Sequence, residues 1–127
     1  MKILLAEDDP ASREALVGLL ECEGHEVISV ERGDEALAVL ADVNPEVLIV
    51  DYRLPDINGL DVLSELHAAR RLPPAILMSA YVLSDRVRAV AGALAARVLR
   101  KPIAVTELLG ALPRAGTLSL REVRGRP

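Results

Sequence analysis

The sequence predicts a single doubly wound α/β domain, a parallel sheet with helices on both faces. Three observations lead there. Short apolar runs alternate five times with stretches of helical spacing. The central run, Val47-Leu48-Ile49-Val50, is unbroken and mostly β-branched, as in a strand buried on both faces. Four of the five runs end in a polar or charged residue, where open α/β sheets place their ligands.

Each element has its own warrant. Lys2 to Ala6 reads as the first strand, closed by Glu7-Asp8-Asp9. Pro10 suits the first turn of a helix over residues 10–22, with Asp9 as its cap and Ala15, Leu16, Leu19 and Leu20 at helical spacing. Gly24 ends it. His25 to Val30 is a second strand, nearer the sheet edge because polar residues interrupt it. Asp34 to Leu40 is a second helix, facing the sheet with Ala36, Leu37 and Leu40, and Asn44-Pro45 breaks it before the central strand at 47–51.

Gly59 to Arg70 carries Leu60, Leu63 and Leu66 on one helical face. Ala75 to Met78 is a fourth strand ending in Ser79-Ala80. Ser84 and Asp85 cap a fourth helix with Val87, Val90 and Leu94 inward, softened by about 1 kcal/mol at Gly92. Arg97 to Arg100 is a short fifth strand delivering Lys101-Pro102, and Val105 to Leu112 forms the last helix. Right-handed crossovers join such units. The domain therefore spans residues 1–112, and residues 113–127, where the pattern lapses, read as a C-terminal tail or linker.

Composition narrows the function classes. The chain has 127 residues, two tyrosines and no Phe or Trp, so it offers almost nothing on which nucleobases could stack. Its net charge of -4 argues against indiscriminate nucleic-acid binding. Residues 1–96 hold 17 acids against 8 Lys/Arg, whereas residues 97–127 hold 2 acids against 7. A single cysteine, Cys22, excludes an intramolecular disulfide framework, and no apolar run reaches membrane-spanning length, so a cytoplasmic protein is expected.

In a parallel sheet the strand ends at Asp8, Asp9, Asp51, Ser79 and Lys101 converge on one crevice. Neighbouring carboxylates repel unless a cation lies between them, and an all-oxygen donor set suits Mg²⁺. His25 and His67 lie in different elements and make no zinc site. An Asp carboxylate can accept a phosphoryl group, with a lysine balancing charge and a hydroxyl reaching another oxygen. Each residue also has a plainer reading: Asp51 as a turn cap, Lys101 as an internal ion pair, Ser79 as a helix-entry residue.

Taken together, these residues resemble the receiver domain of two-component response regulators over nearly all of residues 2–112. Asp8-Asp9 match the acidic pair after the first strand, and Asp51 the phosphorylated aspartate. Leu54-Pro55 and Gly59 match its loop, Ser79-Ala80 the Thr/Ser-Ala, and Lys101-Pro102 the Lys-Pro, whose peptide bond is commonly cis. The resemblance implies a flavodoxin-like five-stranded parallel sheet of order 2-1-3-4-5. It implies phosphotransfer to Asp51 from a sensor histidine kinase or a histidine phosphotransfer protein. It also implies Mg²⁺ held by Asp9, Asp51 and the backbone carbonyl of Arg53, with Asp8 assisting through water.

The resemblance further implies that Lys101 contacts the phosphoryl group and that Ser79 moves toward it. That movement would signal through the face of the fourth helix, fifth strand and fifth helix, to a downstream partner protein or an output domain; a second copy of the chain, as a homodimer, is a further candidate partner. Val98 stands where the family often has a switching Tyr or Phe, and Leu94 where it usually has Gly. Arg53, two after Asp51, and Tyr81, two after Ser79, match positions that in the family flank the phosphoryl group and influence its hydrolysis. The resemblance thus implies slow dephosphorylation by bulky side chains that restrict water. No helix-turn-helix follows, so direct nucleic-acid binding is not expected. Two rivals remain: a receiver-like interaction module that is not phosphorylated, and an aspartyl phosphohydrolase. The latter would want an Asp at position 53, where this chain has Arg.

Overall fold

The computed structural model describes residues 1–113; the tail read from the sequence lies outside them from residue 114 on. Five strands, β1 (Lys2–Ala6), β2 (Glu26–Val30), β3 (Val47–Asp51), β4 (Ala75–Ser79) and β5 (Arg97–Arg100), alternate with five helices. These are α1 (Pro10–Cys22), α2 (Gly33–Asp42), α3 (Gly59–Ala68), α4 (Asp85–Ala93) and α5 (Val105–Ala111). All strand pairs are parallel, in the order β2-β1-β3-β4-β5. The fold is the flavodoxin-like one that the resemblance implies.

Side chains alternate across each strand with period two, so the sheet builds two cores. Leu4, Leu48, Val50 and Leu77 pack against Ala36 and Leu40 of α2, Val62 and Leu66 of α3, and Ala91 of α4. Ile3, Leu5, Ile49 and Met78 face Leu20 of α1 and Leu108 of α5. Every residue of β3 and β4 is buried, which is why those strands read as unbroken apolar runs.

Three helices end in the same motif. In α1, α3 and α4 a left-handed residue follows the cap, with paired backbone bonds such as His25 N–H to Leu20 O (3.1 Å), Arg71 N–H to Leu66 O (2.8 Å) and Ala96 N–H to Ala91 O (2.9 Å). The left-handed residues are Gly24 (φ 90°), Arg70 (φ 58°) and Ala95 (φ 60°). Leu94, expected to alter this turn, is the helix cap at φ -88°, and the conformation that favours glycine falls one residue later. A Cβ in this region costs roughly 1–2 kcal/mol, partly offset by the unfolded-state entropy of glycine. Ala95→Gly should therefore stabilise the domain by about 1 kcal/mol, raising the thermal midpoint by about 3 °C. An unchanged or lower midpoint in calorimetry would show that the turn is not strained.

Candidate functional site

The crevice lies at the carboxyl ends of β1, β3 and β5, and strand register decides which side chains enter it. Ala6 pairs with Val50, so Glu7 comes next to Asp51. The Glu7 N–H still bonds to Val30 O (3.0 Å), which keeps this residue in the sheet and turns its side chain inward. Glu7 is fully buried and Asp51 is 6% exposed. Period two puts Glu7, Asp51 and Lys101 on the same side of the sheet as Ile49, Met78 and Leu99, facing α1 and α5.

Lys101 bridges the two acids: its Nζ donates to Oε1 of Glu7 and, at 2.5 Å, to Oδ2 of Asp51. The other Asp51 oxygen accepts the Arg53 N–H (3.0 Å). Burial pushes the Glu7 carboxyl above its ordinary range; Lys101 and the Asp9 N–H counter this and the Asp51 charge adds to it. Burial works against the Lys101 ammonium, but its two carboxylate partners outweigh this and hold its pKa above the usual value. The Lys101–Pro102 peptide bond is cis.

The acidic cluster differs from the pair expected. Among the described residues, Glu7, Asp8 and Asp51 bring carboxylate oxygens within 4.8 Å of one another. Asp9 instead caps α1, its Oδ2 accepting the Ser12 N–H at 2.9 Å. That bond is the main reason its carboxyl lies below the ordinary range. With Oδ2 turned to the start of α1, Asp9 stands outside the cluster. Pro10 at the helix start was the sequence signal for the cap, and Glu7 was missed because it reads as the last residue before a turn. Arg13 was missed too. From α1 its Nη1 donates to Glu7 O (3.0 Å) and Asp8 O (3.3 Å), fixing the backbone of the acidic turn.

Ser79 is buried on the opposite side of the sheet from Lys101, as alternation along β4 requires. Its hydroxyl donates to Tyr81 O (2.7 Å) and accepts the Tyr81 N–H (3.0 Å), so it serves the β4–α4 loop. Ala80 is exposed beside it. Half-buried Val98 lines a recess of about 370 Å³ with Ser79, Tyr81, Val82, Arg88 and Glu107. Tyr81 is 61% exposed, and the Arg53 guanidinium lies 5.0 Å from its ring centroid.

The loop after β3 is tightly folded. The Gly59 N–H bonds to Tyr52 O (2.8 Å), and a Cβ at Gly59 would lie 2.4 Å from the carbonyl oxygen of Asp51, so a glycine is required there. Asn58 caps α3 through the Asp61 N–H (2.8 Å).

An acidic trio at the ends of β1 and β3, its two buried members Glu7 and Asp51 bridged by Lys101, can be compared with known proteins. The model of the response regulator receiver domain family matches residues 3–113. The chain belongs to that family. It is 35% identical over 116 residues to the sensory/regulatory protein RpfC of Xanthomonas campestris pv. campestris, matching 88% of this chain and 16% of that protein. It is 34% identical over 116 residues to the transcriptional regulatory protein PdtaR of Mycobacterium tuberculosis, matching 90% of this chain and 56% of that one. The chain thus spans well under two thirds of the length of these relatives. A solved CheY-like response regulator receiver domain protein from Methanospirillum hungatei superimposes with a TM-score of 0.80 at 26% identity, covering 95% of this chain and 94% of that one. This receiver domain has, among its described residues, no helix long and apolar enough to cross a membrane.

Proposed function

We propose that this receiver domain is a phosphoryl acceptor in a two-component relay, taking its phosphoryl group on Asp51 from a phosphohistidine of a sensor histidine kinase or a histidine phosphotransfer protein. The observation that supports this most is the convergence of Glu7, Asp8, Asp51 and Lys101 on one crevice. An oxygen of Asp51 attacks phosphorus, the phosphorus–nitrogen bond to the donor imidazole breaks, and the imidazole leaves with the bonding pair and takes up a proton. Lys101 stays beside the acceptor and balances charge on the incoming oxygens.

Hard carboxylate donors with their oxygens this close fit Mg²⁺, which would be held by Glu7, Asp8 and Asp51 with the Arg53 backbone carbonyl. When bound, Mg²⁺ neutralises phosphoryl oxygens that the carboxylates would otherwise repel. Ser79, released from the Tyr81 backbone, would turn to the phosphoryl group and shift the α4–β5–α5 face, which a downstream partner protein, an output domain or a second copy then reads. With Val98 in place of an aromatic ring, that shift is carried by the β4–α4 backbone. The setting of this chemistry is cytoplasmic.

The test is incubation with acetyl phosphate and Mg²⁺. One hydroxylamine-labile acyl phosphate per chain should form, map to Asp51, and fail to form in chelator. Phosphate on another residue, or none, would leave the interaction-module reading in its place.

The contact between Arg53, two residues after Asp51, and Tyr81, two after Ser79, supports slow loss of the phosphoryl group, since it holds two bulky side chains together beside these strand ends. An exposed cation–π contact is worth about 0.5–1 kcal/mol, enough to restrain both groups partially. Tyr81→Ala should speed acyl-phosphate hydrolysis about threefold, in line with that energy. An unchanged rate of phosphate release would remove Tyr81 from this role.

A further inference from the structure

The first turn of α2 has no cap of its own. Arg32 occupies the cap position with extended backbone and makes no side-chain cap bond. The missing acceptor comes instead from the loop after β3. Asp56 Oδ1 accepts the Gly33 N–H at 2.8 Å, and Oδ2 accepts the Asp34 N–H at 2.7 Å. The guanidinium of Arg32 lies 3.9 Å from Asp56 and pairs with Asp34 at 3.0 Å. Next to this clamp Ile57 packs against Gly33, where a Cβ would lie 2.5 Å from Ile57 Cγ1.

The loop is therefore held at both ends. At its base Gly59 closes on Tyr52 and the Arg53 N–H on Asp51; at its tip Asp56 grips α2 with both oxygens. Between these anchors lies the Arg53 carbonyl, which has to hold a fixed position to serve as a cation ligand. Burial works against the Asp56 charge, yet the N–H groups of Gly33, Asp34, Ile57 and Asp56 itself keep its carboxyl well below the ordinary range. The clamp is thus ionised and complete at neutral pH.

We infer that Asp56 is a positioning residue for the phosphoacceptor loop, holding the Arg53 carbonyl and Asp51 in the geometry that takes up Mg²⁺ by tying the loop to the start of α2. This rests on the reading of the crevice as a Mg²⁺ and phosphoryl site. A cap of α2 and a tether of the loop are different roles, and one pair of variants separates them. Asp56→Ala removes both. Adding Arg32→Ser supplies α2 with a cap from its own cap position and leaves the loop untethered.

Mg²⁺ titration followed by calorimetry, together with thermal midpoints and amide hydrogen exchange, reads both roles. Asp56→Ala should lower the midpoint and weaken Mg²⁺ binding about tenfold, as loss of an outer-shell support does. The double variant should regain the midpoint while Mg²⁺ binding stays weak and the Arg53, Ile57 and Gly59 amides still exchange fast. Recovery of both midpoint and Mg²⁺ affinity in the double variant, or unchanged affinity in Asp56→Ala, would reduce Asp56 to a helix cap and overturn the inference. If the unaltered chain takes up no Mg²⁺, the phosphoryl-site reading fails instead. The amide exchange then decides the tether alone: fast exchange in the double variant upholds it, and restored protection overturns it. Should Asp56→Ala not fold alone, the double variant, whose α2 carries its own cap, is compared with Arg32→Ser, which keeps the tether.

Discussion

Lys101→Met should lower the unfolding free energy by about 3 kcal/mol at neutral pH without metal. The ammonium of Lys101 is the shared partner of Glu7, which is fully buried, and of Asp51, which is nearly so. Removing one member of a buried ion pair leaves uncompensated charge, which costs about 3–5 kcal/mol. The side chain of Lys101 is 21% exposed, and some solvent reaches the site, so the lower end of that range applies. The loss should depend on pH in a defined direction. Burial already pushes the Glu7 carboxyl above its unfolded value, and the Asp51 charge adds to this. A carboxyl with a raised folded pKa stabilises the fold below its unfolded pKa and loses that contribution as pH rises through the folded value. In the variant the raised value climbs further, so the deficit against the unaltered chain should shrink toward acid pH and be full at neutral pH. Mg²⁺ should also repair part of the loss, because a cation replaces the missing ammonium. Urea unfolding at several pH values, with and without Mg²⁺, measures all three effects. A deficit that ignored both pH and Mg²⁺ would mean that Lys101 contributes by packing of its stem alone.

The fold was legible because period-two alternation and βα punctuation act locally. The unbroken β3 run, the polar strand ends and the helix-breaking Asn44-Pro45 each carry their meaning within a few residues. The chemistry-bearing residues were legible to the same extent: Asp51 and Lys101 follow apolar runs and lie beside each other. Part of what escaped depends on relations between distant segments, and part on local geometry that residue type does not mark. Glu7 meets Asp51 because of the register between β1 and β3, which the run Glu7-Asp8-Asp9 does not show by itself. The opposite orientation of Ser79 also follows from counting alternation along β4, so a strand end is not by itself a place in the crevice. Asp56 looks like any turn residue between Pro55 and Ile57, yet its partners lie 22 and 23 residues away. The left-handed turn at Ala95 carries no glycine to announce it.

Replacing Asp8 by Asn should weaken Mg²⁺ binding about tenfold, a change of about 1.4 kcal/mol, whereas Asp9→Asn should leave it within about twofold, since a screened surface charge is all that it removes. The contrast follows from where the chain turns. Asp8 brings its carboxylate within 4.8 Å of those of Glu7 and Asp51, and a cation among three such oxygens loses a full charge when one becomes an amide. Asp9 is turned toward Ser12 by its cap bond. Asparagine is as good a helix cap as aspartate, so Asp9→Asn preserves α1 and changes only the charge. Glu7→Gln separates the trio further: the amide oxygen can still accept from Lys101, so the fold should persist while Mg²⁺ binding weakens. Calorimetric titration of the three variants ranks the ligands directly. If Asp9→Asn cost as much affinity as Asp8→Asn while Glu7→Gln cost nothing, the acidic turn would have to reorganise when the cation enters, bringing Asp9 in and releasing the cap of α1.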